Sequence, residues 1–302
     1  MSPQQPVHNT TFLRRGRLGQ LEALQVAHPR FTATVLMQGA QLIEFKPRGE
    51  ANWLWLSPAE PFVSGRAVRG GIPLCWPWFG DPERNPEAVR AAVHTSAAHG
   101  LARLATWQLE SYRETVHGVS LSLVPQRWPE TDEPLLAALQ PRLRLRMDRH
   151  CLQLELETHN RSQAPVTYTE ALHTYLPTES VRESRVQGLH DRPYIDTLRQ
   201  WQRCHQHGAV VFRGETDRIY HTTAPLELVT PRTHVRLESS GSGSTVVWNP
   251  GPAKAQRLSH FKPADWQRML CLETANAADD CVTLEPGKNH CLGMTLRRRL
   301  LR

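Results

Sequence analysis

Two titratable side chains lie inside strand-like segments of this sequence, where they could exchange protons with a bound molecule. His173 lies in EALHTYLPT, residues 170–178, and Glu273 lies in MLCLETAN, residues 269–276. Alternate side chains share a face of a strand, so His173 is expected to point away from Leu172. A half-buried histidine that is hydrogen-bonded to a neighbour is the common alternative. A glutamate in an apolar run needs a structural partner or a catalytic role, because an unpaired buried carboxylate is costly.

The segment VRGGIPLCWPWFG, residues 68–80, is too rich in glycine, proline and aromatic residues for a regular strand or helix. Such a composition predicts a loop of defined shape. Arg69 stands beside two glycines and has room to approach an anion closely. Trp76, Trp78 and Phe79 either plug the end of the fold or offer flat faces to a sugar ring. The residue types leave both interpretations open.

A second basic segment, HGLAR at residues 99–103, places His99 four positions before Arg103. A guanidinium group donates paired hydrogen bonds to phosphate oxygens in a geometry that a lysine ammonium cannot reproduce. A surface salt bridge is the alternative for Arg103.

The charge balance of the chain suits anionic partners. Lys and Arg number 36 against 29 Asp and Glu, which gives a formal net charge of +7. The basic residues are spread along the sequence, and the arginines within residues 142–149 alternate with apolar residues as on the solvated face of a strand. No nucleic-acid-binding motif accompanies the charge, so we expect no nucleic-acid partner. A small phosphorylated substrate would account for a few arginines equally well.

The cysteines and the N-terminal segment predict the compartment. The six cysteines form no CxxC pair and no zinc-ligand spacing, which predicts reduced and mostly buried thiols. Residues 1–16 lack the apolar core of a signal peptide, and no run of about 18 apolar residues occurs. We therefore expect a cytoplasmic protein with no membrane partner.

Period-two alternation of apolar and polar residues predicts an all-β fold of antiparallel sheets packed as a sandwich. Residues 142–147 and 152–157 should form a hairpin, and further strands are expected at residues 119–123, 226–229, 235–238 and 245–248. Helical signals are limited to residues 86–98 and 264–270. No internal repeat or linker interrupts the pattern, so we expect residues 1–302 to form a single domain.

Seven segments, taken together and in order, resemble the aldose 1-epimerase superfamily. The resemblance is greatest to its hexose-6-phosphate mutarotase branch, the glucose-6-phosphate 1-epimerases. The segments are VRGGIPLCWPWFG, HGLAR followed by Trp107, EALHTYL, GLHDRPYIDTL, FRGETDRIY, VWNPGP and CLETAN. They span about residues 31–296, nearly the whole chain, which is then the expected core of the domain. The resemblance implies an antiparallel β-supersandwich of the galactose-mutarotase type with few short helices.

The resemblance also implies an activity and a catalytic pair. Members of this branch interconvert the α and β anomers of hexose 6-phosphates, glucose 6-phosphate above all, by opening and closing the sugar ring. A histidine in the position of His173 is the general acid in that family, and a glutamate in the position of Glu273 is the general base. The reaction implies no metal, nucleotide or other cofactor.

The same motif matching implies four substrate contacts. Arg69 and Arg103 would contact the 6-phosphate, His99 would be a second sugar contact, and Asp196 in GLHDRPYIDTL would accept a sugar hydroxyl. Ala98 stands where some members have glutamine, which removes one polar contact.

Two other functions are compatible with these motifs. One is an aldose 1-epimerase that acts on unphosphorylated hexoses, and the other is a non-catalytic module that binds sugar phosphates. The presence of both His173 and Glu273 favours an enzyme. We expect a monomer whose partner is a small sugar phosphate.

Overall fold

The computed structural model describes residues 10–301. Residues 1–9, which carry part of the expectation about a signal peptide, and Arg302 in the basic C-terminal tail lie outside the described residues. Short strands dominate the remainder. They are β1 (Leu13–Leu18), β2 (Leu21–His28), β3 (Phe31–Leu36), β4 (Gln41–Pro47), β5 (Leu74–Cys75), β6 (Thr106–Glu114), β7 (Gly118–Arg127), β8 (Leu139–Asp148), β9 (Cys151–Asn160), β10 (Val166–Tyr168), β11 (Glu170–Pro177), β12 (Arg185–Gln187), β13 (Pro193–Asp196), β14 (Gln202–His205), β15 (Val210–Val211), β16 (Thr216–His221), β17 (Leu226–Val229), β18 (Thr233–Ser240), β19 (Ser244–Asn249), β20 (Met269–Asn276), β21 (Val282–Leu284) and β22 (Asn289–Leu300).

These strands form two large sheets and two small ones. The large sheets have nine strands in the order β15-β12-β17-β18-β22-β9-β8-β7-β6 and seven strands in the order β14-β13-β16-β19-β20-β11-β5. The small sheets are β1-β2-β3-β4 and β10-β21. Neighbouring strands pair antiparallel, as in the central pairs β11 with β20 and β19 with β20. The all-β antiparallel supersandwich is therefore confirmed.

The predicted hairpin is present as β8 and β9. Their apolar side chains alternate into the core, while the arginines of β8 lie on the outer face. Arg142 and Arg144 both form ion pairs with Glu157, at 3.1 and 2.8 Å, and Arg142 also pairs with Glu110 at 2.8 Å. These partly exposed pairs contribute little to stability individually. They neutralise the basic cluster within the sheet, as expected for a solvated strand face.

The two large sheets pack against each other through the side of β11 that faces away from His173. Leu172 and Thr174 are fully buried there, and the Thr174 hydroxyl lies 3.2 Å from the sulfur of Met294 on β22. Side chains on the other face of β11, including that of His173, point away from this interface and toward a cavity. The core also takes in Leu13, which precedes residue 31. The expectation of a single domain stays a prediction.

Helices are shorter than the sequence predicted. The described residues contain three α-helices, α1 (Glu87–Arg90), α2 (Pro134–Ala138) and α3 (Gly251–Ala255). The prediction over residues 86–98 reduces to α1, and the prediction over residues 264–270 is wrong beyond a 3₁₀ turn at Asp265–Gln267. Met269 already belongs to β20, because pairing with two neighbouring strands outweighs the local helical preference.

The prediction of mostly buried cysteines is also wrong. Only Cys75 and Cys271 are buried, three are partly exposed and Cys291 is exposed. All six are free thiols, as expected. Among residues 10–301, no helix is both long and apolar enough to cross a membrane.

Candidate active site

A cavity of about 460 Å³ opens on the face of the seven-stranded sheet that is turned away from the nine-stranded sheet. Its volume lies in the range of small-molecule sites. Four of the six residues predicted from the sequence line it, namely Arg69, His99, His173 and Glu273.

His173 and Glu273 face each other at the base of this cavity. They are directly opposed in the register of β11 and β20, and Nε2 of His173 lies 3.4 Å from Oε1 of Glu273. Their side chains are 12% and 2% exposed, so any partner must reach them through the cavity. Nδ1 of His173 and Oε2 of Glu273 are buried without a hydrogen-bond partner among the described residues. Such unsatisfied groups are rare and are typical of functional sites.

Aromatic rings fix the orientation of the His173 imidazole. The Tyr175 ring stacks on it at 4.8 Å with an interplanar angle of 11°. The rings of His99 and Trp248 approach edge-on, at 5.7 and 6.0 Å between centroids. Because a ring that is packed on three sides cannot turn freely, Nε2 stays directed toward Glu273.

Burial disfavours the charged form of both members of the pair. It lowers the pKa of His173 well below its usual value, and the neighbouring His99, Arg69 and Arg103 lower that pKa further. Burial raises the pKa of Glu273 well above its usual value, and Asp217 adds to the effect. Burial therefore favours the neutral form of each group, a protonated carboxyl group opposite a neutral imidazole.

The loop at residues 68–80 carries Arg69 to the cavity and is tied to β11. The backbone N–H groups of His173 and Tyr175 donate to the carbonyl oxygens of Pro73 and Gly71, at 3.1 and 3.0 Å. Gly71 has φ +63°, and a Cβ atom there would lie 2.3 Å from the carbonyl oxygen of Leu42. Only glycine lets the loop run this close to β4. The prediction of a shaped loop is confirmed, and its attachment fixes Arg69 relative to His173 on β11.

His99 enters the cavity as a neutral hydrogen-bond donor. The backbone N–H of Gly80 donates to its Nδ1 at 3.3 Å, so the ring proton is on Nε2. Burial, followed by the charges of Arg103 and Arg69, lowers the pKa of His99 to about 3. Its backbone has φ +64°, an uncommon conformation that is held by a hydrogen bond from its own N–H to the Gly80 oxygen.

Arg103 and Asp196 do not reach the cavity wall. The Arg103 guanidinium donates to the carbonyl oxygen of Ala98 at 2.5 Å, and its Nε is buried without a partner among the described residues. Asp196 accepts a hydrogen bond from the Leu198 N–H at 3.1 Å, and its carboxylate lies 3.9 Å from Arg218. Asp196 therefore stabilises the end of β13.

Asp217 lines the cavity instead of Asp196, and Asp81 also belongs to the lining. Asp217 lies on β16 beside Arg218, which pairs in register with Asp196, so its own side chain points to the other face. Burial raises the pKa of Asp217 while the Lys254 charge lowers it. The alternation in FRGETDRIY, which puts Asp217 on the face of Ile219, was the available sequence signal.

Two cations on aromatic rings also line the cavity, and the sequence did not predict them. The Arg84 guanidinium lies 5.7 Å from the centre of the Trp201 ring, and the Lys254 ammonium lies 5.9 Å from that of Trp248. Lys254 also pairs with Glu215 at 3.1 Å. Such cations attract anionic ligands while the rings hold them in place. No local pattern distinguishes Arg84 from other exposed arginines.

A smaller cavity of about 280 Å³ lies on the four-stranded sheet, beside Arg15, Leu24 and Met37. It contains no histidine and no predicted site residue. The titratable pair therefore identifies the larger cavity as the candidate active site.

Comparison with known proteins gives a consistent family. The aldose 1-epimerase family profile matches residues 22–297. A protein of Escherichia coli K12, provisionally named glucose-6-phosphate 1-epimerase, is 33% identical over 278 residues, covering 88% of this chain and 87% of the relative. A relative in Salmonella typhimurium with the same provisional name is 33% identical over 279 residues, covering 89% and 87%. The crystal structure of YeaD from Salmonella typhimurium, provisionally described as a mutarotase, superimposes with a TM-score of 0.84 at 29% identity and covers 97% of this chain and 95% of that one.

Proposed function

This chain belongs to the aldose 1-epimerase family, and from that premise we propose that it interconverts the α and β anomers of hexose 6-phosphates, with glucose 6-phosphate as the preferred substrate. The observation that carries the proposal is the 3.4 Å contact between Nε2 of His173 and Oε1 of Glu273 at the base of the cavity. The names of the relatives support the choice of a phosphorylated hexose.

Opening a hemiacetal ring requires two proton transfers at neighbouring atoms. A base takes the proton of the C1 hydroxyl while an acid gives a proton to the ring oxygen. Both oxygens are bonded to C1, so the acid and the base must lie within a few ångströms of each other, as His173 and Glu273 do. Rotation about the C1–C2 bond followed by closure on the other face inverts the anomeric centre, with no gain or loss of electrons.

The pair has one protonation state with the closed sugar ring and another with the open-chain sugar. Glu273 as a carboxylate and His173 as an imidazolium start the ring opening. Once the ring is open, the proton is on Glu273 and the imidazole is neutral, which is the state that burial favours. Closure returns both protons. A phosphate dianion near His173 favours the imidazolium, and substrate binding thus prepares the acid.

The distribution of charge orients the sugar. C6 is attached to C5, which also carries the ring oxygen, so a 6-phosphate must lie on the His173 side of the ring. Arg69 and Arg103 lie on that side, since both lower the pKa of His173, whereas Lys254 acts on Asp217. Arg69 contacts the phosphate from the wall, and Arg103 contributes its charge from behind. On the other side Asp217 accepts a sugar hydroxyl next to Glu273, the role that the family resemblance implies for Asp196.

Exchange between the two anomeric proton signals of glucose 6-phosphate, measured by NMR at equilibrium, tests the proposal. The protein should accelerate exchange above the protein-free rate, and His173→Asn and Glu273→Gln should each lose about 100- to 10,000-fold of that acceleration. Full exchange in either variant would remove that residue from the mechanism.

The same samples separate the alternative functions. Glucose added to the tube serves as the unphosphorylated competitor, and faster exchange of glucose than of its phosphate would favour an aldose 1-epimerase. Binding of glucose 6-phosphate with no gain in exchange would identify a non-catalytic module.

A further inference from the structure

Cys271 lies beside the catalytic pair, and the proposed reaction does not use it. It precedes Glu273 by two positions on β20, so both side chains point to the same face of the sheet. Its thiol is fully buried. One ligand atom each from His173, Cys271 and Glu273 lie within 4.8 Å of one another, the one such group of potential metal ligands in residues 10–301.

The three donor types suit zinc. Zn²⁺ binds imidazole nitrogen, thiolate sulfur and carboxylate oxygen at about 2.0–2.3 Å, and tetrahedral geometry then separates the ligand atoms by roughly 3.3–3.8 Å. The 3.4 Å between His173 and Glu273 already fits. The farthest pair has to close by about 1 Å. The unpartnered Oε2 of Glu273 is a second acceptor in the same place.

We propose that His173, Cys271 and Glu273 form a zinc site at the base of the cavity, and that Zn²⁺ bound there inhibits the enzyme. The fourth coordination position faces the cavity and takes water. Zinc bound in this way occupies both the acid and the base, so it competes with the sugar phosphate.

Binding is coupled to proton release. The neutral imidazole of His173 ligates as it stands, while the Cys271 thiol and the Glu273 carboxyl group each lose a proton to solvent. Affinity therefore rises with pH, by up to about 100-fold per pH unit while both groups are protonated. Burial, followed by Glu273, raises the pKa of the Cys271 thiol, and Arg69 partly offsets this effect.

The cationic neighbours oppose the metal ion and limit its affinity. Arg69 and Arg103 act on the His173 side of the pair, and Asp217 partly offsets them on the Glu273 side. The two negative ligands balance the charge of one Zn²⁺. Among divalent ions, those that accept sulfur and imidazole ligands together, as Zn²⁺ does, suit these three donors.

Cobalt provides a direct readout of the proposed site. Titration of the full chain with Co²⁺ at pH about 8 should give a thiolate-to-cobalt charge-transfer band and the strong visible bands of a tetrahedral ion, both abolished by Zn²⁺. Cys271→Ala should lose these bands. Cys75→Ala, which removes the other buried thiol, should keep them.

Inhibition provides the second readout and alone rests on the proposed function. Zn²⁺ should suppress anomer exchange in the wild type, a chelator should restore it, and Cys271→Ala should retain basal exchange with at least about tenfold lower zinc sensitivity. Cobalt bands without any exchange activity would leave the site standing and overturn the proposed function.

Zinc-edge X-ray absorption of the wild type covers the case in which Cys271→Ala fails to fold. One sulfur with three nitrogen or oxygen ligands is expected. A shell without sulfur, or unchanged cobalt bands in a folded Cys271→Ala protein, would overturn the site.

Discussion

Replacing Glu273 with glutamine should make the protein more stable while removing most of its activity. The substitution exchanges one oxygen for an NH₂ group in a side chain that is 2% exposed, so the packing hardly changes. Burial, followed by Asp217, raises the pKa of Glu273 well above 4.5. Between pH 4.5 and the raised pKa, the folded protein holds a proton that the unfolded chain has released. The free energy of unfolding then falls by about 1.4 kcal/mol for each pH unit.

Glutamine removes this slope, because it does not titrate. The variant should match the wild type below pH about 4.5 and exceed its free energy of unfolding by a margin that grows as the pH rises. Urea denaturation at pH about 5, 6.5 and 8 measures the margin directly. Anomer exchange should fall by about 100- to 10,000-fold, because an amide cannot take the C1 hydroxyl proton.

Glu170→Gln is the matched control. Glu170 is also fully buried, lies on β11 on the face opposite His173, and has its pKa raised by burial to about 8. The pKa of Glu170 rises from 4.5 in the unfolded chain to about 8 in the folded protein, a difference of about 3.5 pH units. Glu170→Gln should therefore raise the free energy of unfolding by at most about 5 kcal/mol. The hydroxyl of Tyr168 can still donate to the amide oxygen. This variant should gain stability and keep its activity. A Glu273→Gln protein that is less stable than the wild type at pH about 8, or fully active, would refute the reasoning.

Three further predictions concern the cavity mouth, the loop and the second carboxylate. Arg84→Gln should lower kcat/KM for glucose 6-phosphate by about 3- to 10-fold at low ionic strength and much less at high salt. The control Arg90→Gln on α1 should leave kcat/KM unchanged at both ionic strengths. Gly71→Ala should lower the free energy of unfolding by about 2–5 kcal/mol, because the alanine would have a left-handed backbone and its Cβ would clash with Leu42. Gly49→Ala should lower it by only about 1–2 kcal/mol, because its Cβ meets nothing within 4 Å. Thermal melts of both variants measure the difference. Asp217→Asn should move the acidic limb of the pH–kcat/KM profile to lower pH, because it removes a charge that raises the pKa of Glu273; an unmoved limb would mean that the two carboxyl groups do not interact.

The sequence predicted the faces of the strands but not their neighbours. Alternation placed His173 away from Leu172, and the apolar run around Glu273 indicated a buried strand. The register between β11 and β20 decides which of their residues face each other. Register depends on long-range pairing, so a local sequence pattern does not predict it. The pair could therefore be expected in one cavity only through the resemblance to a known family.

Asp196 and Asp217 show a second limit of prediction from local sequence. Asp196 and Asp217 both lie on short strands next to polar residues, and motif matching selected the first. Asp196 stands at the last position of β13, where the chain turns into a 3₁₀ helix and its carboxylate accepts the Leu198 N–H. Asp217 stands inside β16 and its side chain points to the cavity. The difference depends on where one strand ends, which sequence patterns locate least well.

The fold places the residues whose separation must be fixed on sheet strands, and those that can vary on connecting segments. His173 and Glu273 are cross-strand partners in the middle of a sheet, and the spacing of about 4.7–4.9 Å between strands fixes their separation. A one-residue slip of β20 would turn Glu273 to the opposite face, so the buried core protects the dyad by holding the register. Arg69 and Arg84 come from connecting segments that can change without disturbing that register. In the proposed mechanism, sheet geometry therefore sets the proton transfer, and the connecting segments set the contacts to the phosphate.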